Sequence, residues 1–330
     1  MIEILDDDSQ ATIQDRGRFG WRRIGVGASG AMDALSLERA NLLAGNDADL
    51  AAIEVPGTEL RLRFATTTRV AIAGADAPAT LDGRPVLPES THVAAAGAEL
   101  RLARPDSGTY SYVAVQGGID VPVVLGSRST HLRGAFGGYE GRTLRRGDRL
   151  ATGAAAMPSA GGSFALMPPR SALALPGDAP GLTCLRVLPA AEHDRLDARS
   201  RDAFWSTAWR ISAQSNRAGY RLAGPTLHLE AAHEMRSHGL LPGTIQAPDG
   251  GTPIIQLADA FTAGGYPKIG AVIAADLWRV AQAPLGTALA FLRVDYATAL
   301  AADAELAAYR TRCRMWIDLW RARAATRSAS

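Results

Sequence analysis

Turn residues punctuate the first half of this sequence so densely that its apolar runs are cut to strand length. Residues 69–74 (RVAIAG), 99–103 (ELRLA) and 110–116 (YSYVAVQ) are bounded by Gly, Pro or Asp. Runs this short bury a face only by pairing side by side, so the chain must build sheets from many brief strands. Asp82-Gly83, set between two such runs, reads as a hairpin turn. Residues 34–45 (ALSLERANLLAG) are the exception. Leu35, Leu42 and Leu43 recur there at helical spacing, Asp33 stands at the N-cap position and Gly45 can end the helix.

Between residues 151 and 181 the chain turns to Ala, Gly, Ser and Pro without clear periodicity, which marks a domain boundary. Strand-like runs resume at 182–188. Short helices are expected around 200–205 and 274–282, and 287–294 (TALAFLRV) reads as a closing strand. Residues 297–325 lack Pro and Gly and carry Leu300, Leu306, Tyr309, Met315, Trp316, Leu319 and Trp320, a pattern for one long helix or two joined ones. Strands dominate, and no strand–helix alternation supports a doubly wound sheet. The expected fold is mainly β: a first β-barrel-like domain over 1–155, a second over 156–296 and a helical tail over 297–330.

Composition narrows function. The 330 residues are 47% hydrophobic and 21% charged, which suits a globular chain with a substantial core. No apolar run nears the roughly 18 residues of a membrane span. The opening MIEILDDD is acidic where a signal peptide is basic, so the expected compartment is the cytoplasm. Cys184 and Cys313 are the only cysteines, too few for a disulfide scaffold or a Cys-rich zinc site. A net charge of +2 gives no electrostatic case for nucleic acid. Beside 34 arginines stands a single lysine, Lys268, within Gly-Gly-Tyr-Pro-Lys-Ile-Gly. That context fits neither a biotin-attachment hairpin nor a phosphate-binding P-loop, so no covalently bound biotin is expected on this chain.

Two patterns mislead. Gly25, Gly27 and Gly30 match G-x-G-x-x-G, but residues 15–23 before them are too polar for the central strand that a dinucleotide site requires. His228, His233 and His238 are five residues apart, which puts neighbours on different faces of a helix or strand. No metal site is expected there; surface or locally bonded histidines are. G-x-S-x-G is absent, which argues against a serine hydrolase of the nucleophile-elbow type.

Three stretches combine many glycines with polar side chains: 14–33, 117–148 and 246–282. Glycine lets backbone approach a ligand, and arginine offers a fork for carboxylate or phosphate. Read from composition alone, each is equally a turn-rich hairpin corner. Their order of residues says more. Gln-Asp-x-Gly-Arg-x-Gly appears at 14–20 and Gly-Val-x-x-Ser-Gly-Ala-Met-Asp at 25–33. Gly-Gly-Ile-x-Val-Pro-x-x-Leu-Gly-Ser-Arg-Ser-Thr runs over 117–130, Gly-x-Phe-Gly-Gly-x-x-Gly-Arg-x-Leu over 134–144 and Ala-Asp-x-x-Thr-x-Gly-Gly-Tyr-Pro-x-Ile over 258–269. Together these resemble the biotin-dependent carboxyltransferase family, also called allophanate hydrolase subunit 2. It includes the C-type subunit of bacterial ATP-dependent 5-oxoprolinase, KipA-type antagonists of a kinase inhibitor and part of urea carboxylase.

The resemblance implies a repeated cyclophilin-like β fold and work in a complex. The partners implied are a smaller homologous protein (the B-type subunit of 5-oxoprolinase, KipI-like, of the allophanate hydrolase subunit 1 kind) and, in 5-oxoprolinase, an A-type subunit. The complex would spend ATP to open the 5-oxoproline lactam to glutamate; no metal is expected. Two departures stand out: Phe261-Thr262-Ala263 where Gln-Thr-Thr is usual, and Gly27-Ala28 where a proline commonly follows Gly-Val.

Lactam opening calls for fixed N–H donors at a developing oxyanion, and Gly264 and Gly265 or Gly137 and Gly138 are candidates. Arg128 or Arg133 suits a carboxylate clamp. Asp259 or Asp15 can orient such an arginine or act as base. Lys268, beside Tyr266, can stabilise a carboxylate, carbamate or acyl-phosphate oxygen. Gln14, Arg18, Ser29, Asp33, Ser129 and Thr262 complete the expected substrate-binding set. Each also has a structural reading, such as an Asp15–Arg18 ion pair or helix capping by Ser29 and Asp33. Two other functions fit the family: carboxyl transfer from carboxybiotin to a urea-like acceptor, and a non-enzymatic regulator that binds a kinase inhibitor.

Overall fold

A computed structural model describes residues 1–7, 9–154, 163–230, 235–248 and 251–328. The protein is mainly β, and its chain divides into two compact units. One comprises residues 1–18, 29–172 and 308–330; the other comprises 19–28 and 173–307. Among the described residues no helix is long and apolar enough to cross a membrane.

The first unit holds two six-stranded sheets. One runs in the order Arg149–Leu150, Ile2–Ile4, Leu60–Phe64, Glu99–Leu102, Ala79–Leu81, Arg84–Val86. The other runs Phe164–Ala165, Ser90–Ala94, Thr68–Asp76, Ser107–Val115, Ala52–Pro56, Thr12–Gln14. Leu60–Phe64 shows why such short segments form strands: Leu60, Leu62 and Phe64 are buried, while Arg61 and Arg63 face out and pair with Glu99. Ile4, Leu62, Phe64 and Leu100 from the first sheet meet Ile13, Ile53, Ile72 and Val113 from the second in one apolar core. The Asp82-Gly83 turn has both residues at positive φ (48° and 74°), the geometry of a two-residue hairpin connection.

The helix Ala34–Ala44 forms where its caps predict. Asp33 accepts the Ser36 N–H at 3.0 Å, and Gly45 turns left-handed at φ 96° to close the last turn. Arg39 on this helix makes a fully buried ion pair with Glu89 at 2.6 Å. Glu38 lies within ion-pair distance of Arg310 (3.2 Å) and Arg314 (2.7 Å), residues of the helix Tyr296–Ser328 that belong to this unit.

In the second unit seven strands close into a barrel, in the order Leu182–Pro189, Lys268–Val272, Thr244–Gln246, Ile254–Gln256, Gly219–Ala223, Trp209–Ile211, Ala288–Arg293. Closure is made by a parallel pairing of the first strand with the last, Leu182 opposite Ala288. Trp209, Tyr220, Ile245, Ile255, Ile269 and Leu289 are buried in this unit. A Cβ at Gly270 would lie 3.0 Å from both Phe204 and Val187, so a glycine there lets the helix Ala198–Ser206 pack closely.

Candidate active site

The expected site residues fall into two clusters, one in each unit. In the first unit Asp15 follows the strand Thr12–Gln14, and its carboxylate organises the loop 127–130. It accepts hydrogen bonds from the hydroxyls of Ser127 (2.6 Å) and Ser129, and from the backbone N–H of Arg128 and of Gly17 (2.8 Å). A carboxylate holding four donors is committed to shaping the loop. Arg18 is fully buried, donates to the Ser129 carbonyl and lies over the Phe136 ring, 4.8 Å from its centre. Gln14 donates its amide to the Thr130 carbonyl at 3.3 Å.

The same loop explains Gly137 and Gly138. A Cβ on Gly137 would fall 2.2 Å from the Ser129 oxygen, and one on Gly138 1.9 Å from Thr130 Oγ1. The Gly138 N–H donates to the Arg128 carbonyl at 3.1 Å. The Arg128 guanidinium reaches Asp120 at 3.0 Å, and Arg133 is exposed on the turn Leu132–Gly134. A cavity of about 530 Å³ lies here, lined by Asp120, Phe136, Tyr139, Glu140, Arg149 and the glycines Gly137, Gly138 and Gly141 among others.

Ser29 and Asp33 flank a second buried network. Asp33 uses both oxygens on Ser36. Its N–H donates to the Tyr112 hydroxyl at 2.8 Å, and that hydroxyl donates to Glu54 at 2.7 Å. Burial, and then the Glu54 charge, push the Tyr112 hydroxyl well above the usual tyrosine range. Ser29 is buried with φ at 51°, a conformation in which a non-glycine residue is strained.

In the second unit the third glycine-rich stretch forms a compact polar site. The short strand Ala263–Gly264 pairs with His238–Gly239, and Lys268 begins a barrel strand beside it. His238 Nδ1 lies 3.0 Å from the Arg236 carbonyl. A carbonyl only accepts, so Nδ1 carries a proton. On the other side of the ring Nε2 is in contact with Lys268 Nζ. The Lys268 N–H donates to Glu192 at 2.9 Å. Burial lowers the Lys268 amine below the usual lysine range, with the Glu192 charge opposing. Gln246 donates to the Tyr266 carbonyl at 3.2 Å and accepts from Gln256 at 2.9 Å, while the Tyr266 ring is 48% exposed. A Cβ at Gly264 would sit 2.8 Å from Leu240 and 3.1 Å from Gln246, and one at Gly265 would sit 3.0 Å from the Met235 carbonyl.

Asp259 pairs with Arg217 at 2.8 Å, both largely buried, and Thr262 contributes its carbonyl to the Leu240 N–H at 3.0 Å. Sequence reasoning misses Glu192, Arg217, Gln256 and the bond from His238 to Lys268. Their partners lie 10 to 76 positions away in the chain, and no local pattern signals such pairs. The spacing of His228, His233 and His238 gives no sign of the contact between His238 and Lys268. His233 lies outside the described residues.

Two β units with polar, glycine-built loops at these positions define a class. The chain belongs to the carboxyltransferase domain family, subdomains A and B, whose model matches residues 24–293. It is 42% identical to the C subunit of 5-oxoprolinase from Escherichia coli (strain K12) over 305 residues, covering 92% of this chain and 94% of that protein. It is 41% identical to the C subunit of 5-oxoprolinase from Haemophilus influenzae, covering 89% and 92%. Among solved structures, the urea amidolyase of K. lactis superimposes with a TM-score of 0.82 at 27% identity over 92% of this chain. This chain spans 20% of that polypeptide.

Proposed function

We propose that this chain is the C-type subunit of an ATP-dependent 5-oxoprolinase, working with a smaller B-type subunit and an A-type subunit to convert 5-oxoproline and water to glutamate. Identity above 40% to the C subunits of two 5-oxoprolinases, over nearly their whole lengths, supports that substrate. The observation that carries the chemistry is the Lys268 amine, partly desolvated and in contact with Nε2 of His238.

Opening a lactam turns its carbonyl oxygen into an oxyanion as water adds. Donors fixed in advance stabilise that charge without reorganising. Lys268 Nζ still has N–H groups to offer after contacting His238, and the backbone N–H of Gly265 is the peptide donor proposed beside it, since Gly264 is paired with His238 in the strand ladder. Tyr266 places a hydroxyl in the same hairpin. Asp259 orients Arg217, and Asp15 shapes the loop that carries Arg128 and Ser129. In the first unit's own cluster, Arg128 and Arg133 are the arginines proposed for an anionic ligand group, with Gln14, Arg18, Ser29 and Asp33 in the same unit, while Thr262 belongs to the Lys268 cluster of the second unit.

The test is glutamate release from 5-oxoproline and ATP by the reconstituted complex. Lys268→Ala should lower turnover at least 100-fold while the subunits still co-elute, and Arg128→Ala, which alters the separate cluster of the first unit, should lower it at least tenfold. Wild-type kinetics in both variants would overturn these roles. The likeness to urea amidolyase favours one second reading, carboxyl transfer from a biotinylated partner. Avidin blotting of the complex distinguishes the two, because 5-oxoproline hydrolysis by a biotin-free complex rules out the transfer.

A further inference from the structure

Outside both clusters, three side chains of the first unit form a hydroxyl–imidazole–hydroxyl chain. Ser90 and His92 lie two apart on the strand Ser90–Ala94, so the pleat puts both on one face. The edge strand Phe164–Ala165 runs antiparallel to it, with Phe164 opposite Thr91 and Ala165 opposite Ser90. One step further along that register Ser163 stands across from His92. Strand pairing thus brings together two side chains 71 positions apart.

The hydrogen bonds in this chain have a direction. The Ser90 hydroxyl donates its single proton to the Leu87 carbonyl. Towards His92 Nε2, 2.6 Å away, Ser90 Oγ then only accepts, so Nε2 carries a proton. Burial lowers His92 below the usual histidine range and favours the neutral ring, with the Leu87 carbonyl opposing. In a neutral ring protonated at Nε2, Nδ1 holds a lone pair. Ser163 is exposed, and its Oγ lies 2.9 Å from that Nδ1. A hydroxyl held on a base, with a third group orienting the base, is the arrangement that activates a serine. Among the described residues no charged side chain hydrogen-bonds to Ser90, His92 or Ser163. Nothing there selects an anion, so the electrophile that suits these residues is neutral.

We infer that Ser163 is a nucleophile, with His92 as its general base and Ser90 as a positioning residue, and that it accepts an acyl group from a neutral activated ester. Ser163 Oγ attacks the carbonyl carbon as its proton passes to His92 Nδ1. The bond from that carbon to the leaving oxygen then breaks, and the imidazolium gives the proton to the departing oxygen. The products are an ester on Ser163 and the free alcohol or phenol, with His92 neutral again. No residue proposed for the lactam reaction takes part, so the two readings are tested separately.

The full chain is incubated with p-nitrophenyl acetate, and mass spectrometry of the digest follows acetylation residue by residue. Ser163 should acetylate about 100-fold faster than the exposed Ser171 and Ser206 of the same chain. His92→Ala should bring Ser163 down to the rate of those two serines. Added imidazole should then restore part of the difference, which a purely structural loss would not allow. Ser90→Ala should slow the reaction, and Ser90→Thr, which keeps the hydroxyl, should recover it. Melting verifies that each variant folds, and the wild-type comparison decides without any variant. Acetylation of wild-type Ser163 no faster than that of Ser171 and Ser206 would overturn the inference. A wild-type rate at Ser163 in folded His92→Ala would overturn the base, and one in folded Ser90→Ala would overturn the positioning role.

Discussion

Lys268 is the residue on which the proposed chemistry turns, and its being the only lysine makes it open to direct measurement. Burial disfavours its charged form, so more neutral amine is present at a given pH than on a free lysine side chain. An amine-directed anhydride should acylate Lys268 at pH 8 several-fold faster than a solvated lysine, after correction for the N-terminus. Mass spectrometry of the digested protein reads this directly, and a rate no higher than that of a model amine would contradict it. The linkage to stability follows in sign. The unfolded chain holds the Lys268 proton more tightly than the native chain, so the stability contribution rises with pH between the lowered native value and the ordinary 10.5. Urea unfolding of wild type and Lys268→Met over that window should differ in slope. In the sequence Lys268 stands out by its rarity. Its partners His238 and Glu192 do not, because they reach it across 30 and 76 positions.

Elements are legible where local physics decides them. The helix Ala34–Ala44 carries both of its boundary signals in the sequence, and the strands Thr68–Asp76, Glu99–Leu102 and Ser107–Val115 match the runs read at 69–74, 99–103 and 110–116 with shifted ends. The first and third begin earlier than read, the first runs two residues further, and the second and third stop one residue short. Asp33→Ala removes both the bond to the Ser36 N–H and the one to its hydroxyl, and should cost about 1 kcal/mol or somewhat more. Chemical denaturation at fixed pH tests this, and Asp33→Asn should recover part of the loss. The glycine-rich loops are legible as loops only. That Gly137 and Gly138 make room for Ser129 and Thr130 is a matter of close packing that composition does not show. That Asp15 commits its carboxylate to the 127–130 turn depends on contacts between segments over 100 positions apart. Sheet pairing escapes a local reading for the same reason: Ile2 pairs with Leu150 on one side and with Phe64 on the other.

At the scale of the whole molecule the C-terminal helix is the clearest case of shared labour. Its pattern reads as helix from sequence, and residues 308–328 of it belong to the first unit, where Tyr309, Cys313 and Ile317 are buried. Tyr309 donates its hydroxyl to the Met167 carbonyl at 2.9 Å, and Arg314 pairs with Glu38. A chain ending at Ala307 should therefore expose apolar surface on the first unit. It should bind an apolar dye such as ANS and melt earlier than the full chain, whereas unchanged dye binding would show that the helix covers nothing essential. Sequence alone determined the mainly β class, the capped helix, the long terminal helix and the family, because each rests on residues whose spacing or order is local. Only the tertiary structure decided that seven strands close a barrel through a parallel pair, that Lys268 meets His238 and that Asp15 is spent on a loop. Those outcomes come from distant segments competing for the same few hydrogen bonds, and chain order does not encode that competition locally.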